Sequence, residues 1–299
     1  MARPLSDRKR AQAERALWLA KAMDVEILAH FYQRAEVKDL ADYVGGSRGL
    51  YRRVKESRAK RVMVCGVGFM VGAMEGLRPD LAFLVPRGDA GCPMSDPVGS
   101  EAVFAARVSI SGGAPPLVVA DIKASREVRE LSDLALDGEL WSPDLNETRP
   151  VIVLPALSSG DPALFPHFQH PGAQCQVHRQ AEPEAVLEAM EEHAPVLVAA
   201  NSLCSPEVRA LADFSGDSQS IFDWCASMPG GRFLVIAESG LVETLAEAFP
   251  ESLFFETGTE IFCPNMKLAN IKDVLAALEA AWAPELAARG ESLSAAAGE

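Results

Sequence analysis

RVMVCGVGFMVGAMEGLRPDLAFLVPRGDAGC, residues 61–92, sets a pattern that returns twice. The related stretches are VIVLPALSSGDPALFPHFQHPGAQC (151–175) and RFLVIAESGLVETLAEAFPESLFFETGTEIFC (232–263). Each opens on a short apolar run rich in β-branched residues, Val62–Val64, Val151–Leu154 or Phe233–Ile236, and each ends on a cysteine. The first and third continue with a helical period and a second apolar run, the signature of a strand–helix–strand unit. The middle one is shorter and weaker. Cys92, Cys175 and Cys263 therefore recur at intervals of 83 and 88 residues. Self-similarity at a near-constant period signals repeated units. One cysteine per unit, at equivalent places, puts three thiolates around a pseudo-threefold axis. Three thiolates on one centre, with no fourth, leave a coordination position open for chemistry.

A free cysteine is ordinarily a small buried hydrophobe. Cys65, inside an apolar strand, and Cys225, after a Trp in a helical stretch, fit that description, and Cys204 joins them. Cys92, Cys175 and Cys263 stand instead in loops at strand ends, the first and last of them followed by proline. Pattern alone leaves ligation and simple burial evenly matched for these three.

The net charge of −14 argues against nucleic acid and anionic membrane as partners. No apolar run reaches the roughly 18 residues of a membrane span. The basic N-terminal stretch MARPLSDRKRAQAERALWLAKAM is interrupted throughout by charge. It reads as an amphipathic helix, not a signal peptide. The expected compartment is the cytosol, where six cysteines serve as reduced thiols or metal ligands more readily than as disulfides.

After the first helix, Glu26–Ala29 is expected as a buried strand, with His30–Gln33 at its carboxyl end, a helix over Val37–Tyr43, and Gly45–Gly46–Ser47 closing the unit. Helix and strand then alternate to an amphipathic last helix over Ile271–Trp282, the pattern of parallel α/β units. Breaks fall at SGGAPP (111–116) and DGELWSPDLNETRP (137–150). Parallel α/β sheets bind ligands beyond the carboxyl ends of their strands. His30, Tyr32, Asp121, Asn201 and the three loop cysteines all fall at such places.

Several stretches resemble the motifs of one family, the quinolinate synthases. ILAHFYQRAEVKDLADYVGGS (27–47) is similar to its opening motif, GDAGCPMSD (88–96) to its first cysteine motif, HPGAQCQVH (170–178) to its second and CPNMKLANI (263–271) to its third. CSPEVRALADFSGDSQSI (204–221) resembles the segment between the last two. The likeness runs from Glu26 to Leu278. It implies an α/β fold of three pseudo-symmetric, three-layer αβα domains with short parallel sheets around a central [4Fe–4S] cluster. The domains would be 1–92, completed by a C-terminal helix in 264–299, then 93–178 and 179–263. It implies Cys92, Cys175 and Cys263 as cluster ligands, with the fourth iron facing substrate. It carries over His30, Tyr32 and His178 as catalytic groups, and Ser47 and Ser218 as substrate-binding ones. His30 is expected to exchange protons near neutral pH.

Other positions depart from the family pattern. In PPLVVADIKASREVRELSD (115–133), Asp121 and Lys123 stand where the family has Tyr and Asn. In NSLC, Asn201 and Leu203 replace an active-site His and Glu. LALDGEL (134–140) replaces a cysteine-rich stretch. Asp121, Lys123 and Asn201 join the expected substrate-binding set. Losing a His and gaining Asp121 and Asp217 lowers the positive potential expected of a site for anions. Asp121 then either pairs with Lys123 or takes a cationic substrate group. The expected function is a [4Fe–4S]-dependent condensation or dehydration on a small polar substrate other than iminoaspartate plus dihydroxyacetone phosphate. The rivals are a genuine quinolinate synthase of NAD biosynthesis and a non-catalytic iron–sulfur sensor. The expected partners are the small-molecule substrate and the iron–sulfur assembly machinery, with no nucleic acid and no membrane.

Overall fold

Ser6 accepts a hydrogen bond from the Lys9 N–H and so caps the first helix, α1 (Asp7–Ala22), whose buried face is Ala16, Leu19 and Ala20. In this computed structural model, residues 6–108, 114–136, 150–155 and 174–288 are described. The chain then enters β1 (Val25–His30), buried at every residue, as a strand covered on both faces must be. Parallel pairing adds β2 (Tyr43–Gly45), β3 (Arg61–Cys65) and β4 (Ala82–Leu84) in the order β2-β1-β3-β4. The crossovers carry α2 (Ala35–Lys38), α3 (Ser47–Glu56) and α4 (Phe69–Leu77).

A second parallel sheet holds β5 (Leu117–Ala120), β6 (Leu134–Ala135) and β7 (Val151–Leu154) in the order β6-β5-β7, with α5 (Ser100–Val108) and α6 (Arg126–Leu131) packed on it. A third has β8 (Leu197–Asn201), β9 (Phe214–Gly216), β10 (Arg232–Ile236) and β11 (Leu253–Phe255) in the order β11-β10-β8-β9. Its helices are α7 (Pro183–His193), α8 (Pro206–Ala210), α9 (Ser218–Ala226) and α10 (Ser239–Ala248). The first and third sheets have the same connectivity, and the second follows it over its three described strands. The molecule is thus α/β with several short parallel sheets. Residues 156–173 of the middle repeat, half of the break expected at 111–116 and nearly all of that expected at 137–150 lie outside the described residues.

One hydrogen-bond device recurs in all three sheets. Asp42, Asp133 and Asp213 each accept, at 2.8 Å, the N–H of a central-strand residue, Ile27, Val118 and Val198 respectively. The backbone N–H of each Asp returns a bond to the carbonyl of that same residue, at 2.8 to 2.9 Å. The two-way clasp delivers the next residues to the edge of the sheet in register. It also explains why no helix spans 37–43. The helix stops at Lys38, the Asp42 clasp pulls the chain onto the sheet, and Tyr43–Gly45 pair with Leu28–His30 as β2.

Gly46 caps α3 from outside. A Cβ there would lie 2.9 Å from the Gln219 backbone nitrogen, so a side chain would force α3 and α9 apart. Between the first and third sheets, Phe31 stacks on Phe222 at 5.1 Å within a shared core that includes Leu28, Ile221 and Phe233. Arg129 on α6 ties in the second sheet, donating to the Tyr51 hydroxyl on α3 at 3.1 Å. The last helix, α11 (Ile271–Ala288), runs beyond Trp282 and packs on α1, with Trp18 and Trp282 rings 5.5 Å apart. No described helix is long and apolar enough to cross a membrane.

Leu278 on α11 is fully buried in the cluster with Leu19, Ile27 and Val274. Leu278→Ala should cost about 2–5 kcal/mol, read as a lower urea midpoint. An unchanged midpoint would remove α11 from the core of the first sheet.

Candidate active site

The carboxyl ends of β1, β5 and β8 carry the same local geometry with different side chains. His30 Nδ1 accepts the Tyr32 N–H at 3.1 Å, Asp121 Oδ1 accepts the Lys123 N–H at 3.0 Å, and Asn201 Oδ1 accepts the Leu203 N–H at 3.0 Å. Each is a short side-chain turn that competes with further strand pairing. It sends the residue two positions on, Tyr32, Lys123 or Leu203, to the wall of one cavity. Cys92, Cys175 and Cys263 line that same cavity, as do His30, Ser47, His178, Asn201 and Ser218. Of the residues singled out from sequence, Asp121 alone is absent from the wall, because its carboxylate is committed to the turn and to Lys123.

Each cysteine loop is held from behind. The Cys92 N–H donates to Asp96 at 2.7 Å, and the Cys263 N–H donates to Glu238 at 3.2 Å. Asn265 donates to the Gly91 carbonyl at 2.7 Å, fastening the third loop to the first. The Cys175 Sγ lies 3.1 Å from His178 Nδ1. Burial works to raise the Cys175 thiol, but the His178 charge and hydrogen bond outweigh it and hold it down at about 7. Burial pushes the Cys263 thiol up to about 11, and raises Cys92 as well. All six cysteines are free thiols, and Cys65, Cys204 and Cys225 are buried in the core as expected.

Among the described residues no three His, Cys, Asp or Glu side chains are grouped to hold a single metal ion. A [4Fe–4S] cube makes a different demand, since each thiolate binds a different iron corner. Three thiols on one cavity wall, from loops following three different sheets, are the donor set such a cube takes.

Tyr32 is the hub of the polar network. Its hydroxyl lies 3.2 Å from His178 Nε2, is paired closely with the Ser218 hydroxyl, and accepts from the Asn201 amide at 3.4 Å. Burial raises the Tyr32 phenol well above its ordinary value, so it stays protonated. A connected path runs from Ser218 through Tyr32 and His178 to Cys175. His30 departs from its expected role. Burial, and after it the Lys123 charge, lowers its imidazole to about 3. It is neutral at physiological pH, and with Nδ1 accepting, the ring proton sits on Nε2, where it can donate but does not titrate.

Both carboxylates that were expected to lower the positive potential are neutralised. Lys123 Nζ lies 3.5 Å from Asp121. Arg48, which follows Ser47 on the wall, grips Asp217 through Nε at 2.9 Å and Nη2 at 3.3 Å and also donates to Ser220. Burial alone would raise Asp217, but the Arg48 hydrogen bonds and charge hold it below the usual carboxylate range. Arg48, Glu238 and Lys267 were missed from the sequence. Lys267 Nζ bonds Glu238 at 3.0 Å and the Tyr32 carbonyl at 3.0 Å, joining the third cysteine loop to the Tyr32 turn. A charged residue closing an apolar run, as Glu238 does after Phe233–Ala237, was the available signal.

The profile of the family described as Quinolinate synthetase A protein matches residues 14–296. The chain belongs to that family. Among its relatives, the quinolinate synthase of Geotalea uraniireducens is 32% identical over 258 residues, covering 84% of each chain. That of Methanosarcina barkeri is 31% identical, over 85% of this chain and 84% of its own. That of Clostridium perfringens strain SM101 is 29% identical over 89% of each. The protein is accordingly an enzyme of the quinolinate synthase type.

The buried, neutral His30 makes this family member acid-sensitive. Its folded value is depressed from 6.5 to about 3, so its contribution to stability is full above pH 6.5 and is lost as pH falls toward 3. The slope from one such group approaches about 1.4 kcal/mol per pH unit. His30→Asn should lose less stability than wild type between pH 7 and pH 5 in urea melts. Parallel losses would mean that the imidazole is solvated.

Proposed function

We propose that this enzyme holds a [4Fe–4S] cluster on Cys92, Cys175 and Cys263, at the centre of three pseudo-symmetric αβα units. We propose further that it catalyses a condensation or dehydration on a small polar substrate other than the iminoaspartate and dihydroxyacetone phosphate pair. The observation that carries the cluster is the convergence of the three thiols on the cavity that Tyr32 and His178 also line. When bound, such a cluster supplies a Lewis-acidic iron that no thiolate covers.

The chain's own residues supply the rest. Tyr32, kept protonated by burial, donates to a substrate oxygen, and His178 stands 3.2 Å behind it to return the proton. Ser218 and Asn201 fix the phenol's orientation. His30 offers a neutral Nε2–H. Val67, Phe69, Met94, Ile122 and Met266 line the same cavity and exclude water. The altered substrate is supported by Asn201 and Leu203. The wall has an amide and an isobutyl group there, where the family resemblance implies an imidazole and a carboxylate.

A second reading, a genuine quinolinate synthase supplying NAD, is favoured by the ion pairs. With Asp121 and Asp217 neutralised, the cavity does not repel anionic substrates. The names of the relatives point the same way. In either reading the enzyme works in the cytosol and receives its cluster from iron–sulfur assembly proteins.

Anaerobically prepared protein should be brown, with about four irons and four sulfides per chain. Alanine at Cys92, Cys175 or Cys263 should remove most of the iron, and alanine at Cys65, Cys204 or Cys225 should not. Full iron in Cys175→Ala would sink the ligand assignment. Quinolinate formation from iminoaspartate and dihydroxyacetone phosphate should run at least about a hundredfold below that of the Geotalea relative, the usual effect of losing one acid–base group. Comparable turnover, or growth of a quinolinate-requiring strain on this protein, would select the second reading.

A further inference from the structure

The residues on either side of the three loop cysteines are all uncharged, in a chain whose net charge is −14. They are Gly91 and Pro93, Gln174 and Gln176, and Phe262 and Pro264. Gln174, Gln176, Phe262 and Pro264 are exposed, and none of them lines the cavity. They form the outer side of loops whose inner side is the cavity wall. The three thiols between these neighbours are themselves partly exposed.

Phe262 is the anchor of this outer face. Trp18, Phe104 and Phe262 are the large aromatic side chains left exposed among the described residues, and of these Phe262 alone adjoins a loop cysteine. Its ring is held in place. Lys267 Nζ lies 5.6 Å from the ring centroid, within reach of a cation–π contact. Lys267 is in turn fixed by Glu238 and by the Tyr32 carbonyl. The centre of a protein–protein contact is poor in charge, and a few rigid aromatic side chains carry most of its affinity. An exposed, immobilised Phe among uncharged neighbours has that composition.

We infer that the outer face of the three cysteine loops docks the iron–sulfur carrier protein that delivers the cluster. This rests on the cluster proposed above and names the surface through which it arrives. The thiols at the middle of the face decide the partner. A second copy of this chain would bring three more thiols and nothing for them to bind. An electron carrier has no work beside a condensation or dehydration, which moves protons and water with no net electron transfer. A carrier presenting a [4Fe–4S] cube on its own thiolates matches the three thiols. Three iron bonds to the carrier's thiolates break as three form to Cys92, Cys175 and Cys263. The three protons lost by these cysteines are taken up by the carrier's freed thiolates. The fourth iron exchanges its carrier ligand for water, and no iron changes oxidation state.

The test compares two routes of loading the full-length, cluster-free chain under anaerobic conditions. One uses a purified carrier protein holding one [4Fe–4S] cluster on its own cysteines, followed by visible circular dichroism. The other uses ferrous iron and sulfide, which need no docking, followed by iron content. Phe262→Ser should accept the cluster from the carrier at least tenfold more slowly than wild type, yet reach the wild-type iron content from iron and sulfide. Phe262→Leu should stay within a few-fold of wild type by both routes. Phe104→Ser, at an exposed Phe on α5, should match wild type. Gln176→Lys and Gln176→Glu test a second loop, independently of Phe262. Both should slow the carrier route, since a charge of either sign is desolvated in the contact. Transfer to Phe262→Ser at the wild-type rate, or slowing by only one of the Gln176 variants, would overturn the inference. Wild type that loads from iron and sulfide but not from the carrier would remove the docking face and leave the cluster standing. Wild type that loads by neither route would remove the cluster itself.

Discussion

The site depends on a hydrogen bond from a side chain to a backbone N–H two residues further on, made at the carboxyl end of three central strands. His30, Asp121 and Asn201 make it with an imidazole nitrogen, a carboxylate and an amide oxygen. All three can accept, and that is what the geometry requires. The bond closes the turn that ends each strand and aims the next residue but one at the cavity. The Asp42, Asp133 and Asp213 clasps fix the neighbouring strands around it. Side chains at these turns can therefore be exchanged for other acceptors without loss of the fold. Those two positions on line the cavity, so their chemistry sets what the cavity offers.

That division explains where this chain departs from its family's pattern. Asn201 keeps an acceptor at its turn where the family pattern has His, whereas Asp121 brings one where that pattern has Tyr. Lys123 and Leu203 change what the cavity offers. Charge is handled by local pairing. Asp121 with Lys123, Asp217 with Arg48 and Glu238 with Lys267 each bring a carboxylate and its cation into the interior together. Breaking such a pair is costlier than building it, since an uncompensated buried charge remains. The pairs also serve position, as Glu238 and Lys267 hold the Cys263 loop against the Tyr32 turn.

Acid–base capacity is concentrated on one line. His30 is locked neutral by burial, and Asn201 does not titrate. Tyr32 and His178 remain, with Ser218 at one end and Cys175 at the other. A network this short couples the phenol directly to a cysteine loop, so proton position and thiol environment change together.

The sequence by itself determined the strands, the repeat and the family. Val62–Val64, Val151–Leu154 and Phe233–Ile236 are apolar enough that only burial in a sheet accounts for them, and all three are strands. The cysteine loops were legible because their flanking residues form motifs. What lay beyond one-dimensional reading was anything set by partners far apart in the chain. The helix expected over Val37–Tyr43 lost to a clasp with Ile27, a contact that local propensity does not register. The fate of Asp217 depended on Arg48, which is brought to it by the close packing of α3 on α9. Whether His30 titrates depended on how deeply the folded chain buries it. Hydrophobic periodicity is a local property that short segments carry with them. Ion pairing, desolvation and the direction of a side chain are properties of an assembled interior, and only the tertiary structure decided them.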